Sequence, residues 1–121
     1  MNYVNQITRQ KMSRILDELY TALFIAGAQN ISIQIKRWDD GLSISITSDY
    51  TPEFRHKIEH LSRFLKPEVR NAALEETYWA LVGSDRTGED SELMLVGQML
   101  DSADIFIEPE KVRMVLFKKF D

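Results

Sequence analysis

Ile31-Ser32-Ile33-Gln34-Ile35-Lys36-Arg37-Trp38-Asp39-Asp40-Gly41-Leu42-Ser43-Ile44-Ser45-Ile46-Thr47 is the most telling stretch of this chain. Apolar and polar residues alternate on both sides of a polar turn. Successive side chains of a strand point to opposite faces, so Ile31, Ile33 and Ile35 share one face, as do Leu42, Ile44 and Ile46. That is the pattern of an antiparallel hairpin buried on one side. Asp39-Asp40-Gly41 supplies the turn, and Gly41 is expected to take a positive φ there. Trp38 flanks the hairpin, closes the rim of the core or offers an exposed aromatic contact.

Upstream, Met12, Ile15, Leu16, Leu19, Leu23 and Ala26 recur at intervals of three and four, predicting a helix from near Thr8 to Ala26 with its stop at Gly27. Downstream, Thr51-Pro52 reads as a cap and first turn for a helix whose stripe is Phe54, Ile58, Leu61 and Leu65. Pro67 separates it from a further helix, about Glu68 to Val82, with Tyr78 and Trp79 on a wide apolar surface. Gly83 to Asp90 reads as a polar loop, and Ser91 to Leu100 as a shorter helix. Ala103, Ile105 and Ile107 open a strand, Pro109-Glu110 turns the chain, and Val112 to Phe120 returns as the last strand. That strand places Val112, Met114 and Leu116 on one face and Arg113, Val115, Phe117 and Lys119 on the other. Val115 and Phe117 either cover a core edge or form part of a dimer contact.

The pieces fit most economically as one domain, residues 1–121, of two-layer α/β class. Its expected form is a mixed, mainly antiparallel four-stranded sheet with four helices over one face. An apolar fraction of 44 % suffices for a globular interior. The formal charge of −4 disfavours a general nucleic-acid surface, and the basic cluster Lys111, Arg113, Lys118 and Lys119 is expected to be a solvated strand face and terminus. No cysteine is present, which excludes disulfides, thiol catalysis and cysteine-bound metal. No basic segment leads into an apolar signal core and no run approaches the ~20 apolar residues that cross a bilayer, so a cytoplasmic location without membrane contact is expected.

The order of pieces resembles the ATP-binding domain superfamily shared by sensor histidine kinases, gyrase-type enzymes and related chaperones, as a degenerate member. Three segments carry the likeness. In Glu18-Leu19-Tyr20-Thr21-Ala22 the resemblance would make Glu18 the water-activating acid, while Ala22 stands where a magnesium-binding asparagine belongs and has no oxygen to offer. In Ile46-Thr47-Ser48-Asp49-Tyr50-Thr51-Pro52-Glu53, Asp49 would match the adenine-recognising aspartate, without the glycines that should follow. Ser91 to Leu100 resembles the last glycine-box helix, but Gly97 comes too late for the phosphate approach, and Glu89, Asp90 and Glu92 repel phosphate. The likeness therefore implies a scaffold that has lost ATP turnover.

Other chemistry is sparse. His56 and His60 share a helix face, yet the ligand set is incomplete and Arg55 and Lys57 add positive charge, so no metal site is expected. Glu75 and Glu76 are adjacent and diverge on a helix, unlike an acid–base pair. No phosphate loop or dinucleotide fingerprint is present. The expectation is a noncatalytic protein-interaction or regulatory domain, with no catalytic residue and no cofactor. Its contacts are expected at Trp38, Tyr78, Trp79, Val115 and Phe117, toward a protein partner or a second copy and not toward nucleic acid. Two alternatives stand beside it: a divergent magnesium-dependent ATP-binding enzyme using Glu18 and Asp49, and a structural homodimerisation domain.

Overall fold

A computed structural model of the chain describes residues 4–65 and 88–121. Helix α1 spans Gln6–Ile25, strand β1 Ile31–Arg37 and strand β2 Gly41–Asp49. A single 3-10 turn, Pro52–Phe54, leads into helix α2, Arg55–Leu65. Helix α3 is Gly88–Met99, followed by strands β3, Ser102–Ile107, and β4, Lys111–Lys119. Helices lie on one side of a four-stranded sheet, the expected two-layer α/β arrangement.

Helix α1 begins where the Asn5 side chain accepts a hydrogen bond from the Thr8 amide at 2.8 Å, satisfying one of the free donors of the first turn. Such a cap contributes about 1 kcal/mol. Its stripe of Met12, Ile15, Leu19 and Leu23 is buried. At the far end the Gly27 amide donates to Phe24 and the Ala28 amide to Leu23, the paired bonds of a Schellman ending. Gly27 adopts φ 88°, the left-handed conformation expected of it.

The strands lie in the order β1-β2-β4-β3, and all three pairings are antiparallel. Register sorts the side chains. Leu42, Ile44 and Ile46 of β2 oppose Lys118, Leu116 and Met114 of β4, and all of these residues are buried under the helices. Ile33 and Ile35 oppose Ile46 and Ile44 and so lie on the same side, but β1 is an edge strand. They remain 40 % and 47 % exposed, whereas Ile44 and Ile46 are at 0 %. The alternation identified their face correctly and overstated their depth.

Other expectations need correction. Gly41 is not among the positive-φ glycines. It is the first residue of β2, and a Cβ there would collide with the Lys118 carbonyl and meet the Phe117 ring at 2.8 Å, so close approach, not turn geometry, requires glycine. Thr51 makes no side-chain cap; its hydroxyl side sits against Gly27, and its amide donates to Ala26 at 2.9 Å. Gly88, Glu89 and Asp90 belong to α3 and not to a loop. Lys118 is not a solvated cation: it is 4 % exposed on the helix side, with its ammonium 3.2 Å from Asp121.

Ile58, Leu61 and Leu65 of α2 are buried as predicted, with Phe54 half-buried against them. Leu93, Val96 and Leu100 join them from α3 and its end. Gly97 permits the approach of these helices, since a Cβ would run into the Phe64 backbone carbonyl. The expected helix at about Glu68 to Val82, including Tyr78, Trp79, Glu75 and Glu76, lies outside the described residues, as do residues 83–87 of the expected loop.

Candidate interaction surface on the open sheet face

No described element covers the side of the sheet opposite the helices. Its positions follow from register: Lys36 lies beside Ser43, Ser43 beside Phe117, Ser45 beside Val115, and Thr47 beside Arg113, which in turn faces Phe106. Val115 is exposed, Phe117 is half-buried, and Phe106 is 47 % exposed. Trp38, just beyond β1, donates from its indole Nε1 to the Ser43 hydroxyl at 2.9 Å, which brings the indole to this side of the sheet. Trp38, Val115 and Phe117 thus come together on one surface. Tyr78 and Trp79, the other expected contact residues, are not among the described residues.

Phe106 was missed in the sequence because it lies out of phase with Ala103, Ile105 and Ile107, the residues that defined its strand. The signal was present in that phase: an aromatic on the polar side of an alternating strand belongs to the outer face. Cations lie over two of the rings. The Lys36 ammonium is 4.2 Å from the Trp38 ring centroid, and the Arg113 guanidinium carbon is 4.9 Å from that of Phe106. Each such contact is attractive by about 0.5–1 kcal/mol at an exposed site.

The two carboxylates of the ATP-binding alternative have local partners. Asp49, at the end of β2, accepts from the amides of Gln29 at 2.8 Å and Asn30 at 3.0 Å, and from the Asn30 side chain at 3.2 Å. Those donors, the Asn30 and Gln29 amides foremost, hold its carboxyl below the usual value, so it stays ionised and closes the α1–β1 connection onto β2. Glu18 lies 3.8 Å from the Arg14 guanidinium, which also pairs with Glu92 of α3. This set ties two helices together. Ala22 packs against the core.

His60 meets Phe64 edge-on, with ring centroids 4.8 Å apart, while His56 is exposed. No cluster of three or more metal-ligating side chains occurs among the described residues. No described helix is long and apolar enough to cross a membrane. Comparison of the chain with family models, with curated proteins and with solved structures returns no match.

Proposed function

We propose that this chain is a noncatalytic protein-interaction or regulatory domain built on a degenerate ATPase-like scaffold, and that it docks its partner on the open face of the sheet. The observation that carries the reading is the gathering of Trp38, Phe106, Val115 and Phe117 on a surface that no described helix covers. An isolated exposed hydrophobe requires no explanation, but several on one rigid sheet, flanked by cations, have the make-up of an interface. Rigidity matters because side chains standing on paired strands lose little further freedom when a partner arrives. The local engagement of Asp49 and Glu18 supports the noncatalytic part of the reading.

The test is native capture with the wild-type chain and with Val115→Asp and Phe106→Asp. Loss of the captured partner with both, and its retention by a Phe24→Ser control on the exposed side of α1, is the expected result. A captured set indifferent to the two aspartates overturns the reading. Titration with ATP, with and without magnesium, checks the scaffold: tight metal-dependent binding would favour the enzyme alternative.

The β1 edge favours a second reading, a homodimer. Ile31, Ser32, Ile33, Gln34 and Ile35 form a pattern symmetric about Ile33. Antiparallel pairing of two β1 strands about that residue would set isoleucine against isoleucine and Lys36 against the uncharged Asn30. Light scattering over a concentration series tests it, with monomer at every concentration counting against it.

A further inference from the structure

We infer that the open face selects an acidic protein segment, one whose carboxylates flank an aliphatic or aromatic anchor. This rests on the open face being the docking surface and adds the chemistry of what docks there. Charge is the first argument. The strand positions on this face carry Lys36, Lys111, Arg113 and Lys119 against Asp49 and Asp104, opposite in sign to the −4 of the whole chain. Asp49 is already engaged by the Gln29 and Asn30 donors, which leaves Asp104 as the acid that an incoming carboxylate would meet.

The placement of the cations is the second argument. Lys36 lies over Trp38 and Arg113 over Phe106, so each cation holds one face of its ring. A face held by a cation is closed to a stacked base, and the cation above it is itself a partner for a carboxylate. A single-stranded nucleic acid needs free aromatic faces and a longer cationic track. A small polar side chain, Ser45, lies beside Val115 between the two cation–ring pairs and leaves room for an apolar anchor.

Register gives the spacing. Lys36 and Arg113 are two strands apart sideways and four residues apart along the strands. At about 4.8 Å between strands and about 3.3 Å per residue, that separation is roughly 16 Å, or about five residues of extended chain. The segment expected is extended, with two acids about five residues apart and apolar residues between them.

The experiment uses the ¹⁵N-labelled full chain and four probes: an octapeptide with two Glu five residues apart around Phe and Leu, its Glu→Gln analogue, its Glu→Lys analogue, and an eight-nucleotide oligothymidylate. Amide shifts confined to residues 36–38, 43–47, 104–106 and 113–117 with the acidic peptide, at least about ten-fold weaker binding of the Gln analogue and weakening by salt are expected. Arg113→Glu should shift preference toward the Lys peptide, Arg113→Lys should retain the acidic one, and Lys36→Glu gives a second reversal at the sheet edge should the first misfold. Equal binding of the acidic and Gln peptides overturns the charge selection and leaves the docking surface standing. Tighter binding of the oligothymidylate overturns the partner class. If no peptide shifts the open face, the inference fails, and if the aspartate variants also keep their captured partner, the docking surface fails with it.

Discussion

Strands β1 and β2 carry almost the same alternation and meet opposite fates. Ile33 pairs across from Ile46 and Ile35 from Ile44, on the same side of one sheet, yet the β2 residues are sealed and the β1 residues are wet. The difference is neighbours. β2 has a strand on each flank and helices above, whereas β1, among the described residues, has a strand on one flank alone. Alternation reports which side a residue faces; depth depends on what lies over it and beside it. An edge with exposed aliphatics and unpaired backbone groups is also a template for pairing, which proteins usually blunt. Here Lys36 and Arg37 provide charge at one end of the strand.

The largest expected effect breaks or keeps that contrast directly. Ile46→Ala should lower stability by about 2–5 kcal/mol in urea unfolding, through lost burial and a residual cavity. Ile33→Ala, directly across from it, should cost less than about 1 kcal/mol at low protein concentration. Equal costs would mean that β1 is covered in solution, and a cost that grows with concentration would identify the cover as a second copy.

Next comes the layer that seals β2. Gly97→Ala forces a methyl group toward the Phe64 carbonyl and should cost about 1–3 kcal/mol by prying α3 from α2, read as a lower thermal midpoint. A neutral result would show that the helices can separate without loss. Ile33→Lys sharpens the edge question: unfolding stability of the monomer should move by no more than about 0.5 kcal/mol, while any concentration-dependent mass disappears.

The smallest effect concerns the cation at the end of the sealed side. Lys118 faces Leu42, and its partner Asp121 also receives the Lys11 ammonium at 2.6 Å and the Thr8 hydroxyl at 3.1 Å. The Lys11 contact first, then Lys118 and Thr8, lowers the Asp121 carboxyl to about 2 from 3.8. The folded state therefore binds this proton less readily than the unfolded state. Its stabilisation is present above pH 3.8 and is lost as pH falls through about 2. Asp121→Asn should flatten that part of the acid-unfolding curve, and an unchanged curve would remove the carboxylate from the account.

Much of this was legible from periodicity. The Met12–Leu23 stripe, the Ile58–Leu65 stripe, the two hairpin patterns and the stop at Gly27 all rest on local spacing, and local spacing is a backbone property. Gly41 was located but misexplained, because its need for glycine comes from Phe117 and Lys118, distant in sequence. Lys118 was misread for a related reason: its partner Asp121 is close in sequence, but the Thr8 and Lys11 contacts that hold Asp121 form only when the last strand returns to the first helix. Of the candidate site, the sequence identified Trp38, Val115 and Phe117 one by one and passed over Phe106.

By itself, then, the chain determined which residues face together along each helix and strand, since those periods follow from backbone geometry. Strand order decided the rest: it put β1 at an edge of the described sheet and, by laying β2 beside β4, gathered residues from four separate segments onto one surface that no described element covers. The two hairpins follow from local turns and alternation, but the pairing of β2 with β4 joins strands far apart in sequence, and no local pattern encodes that choice.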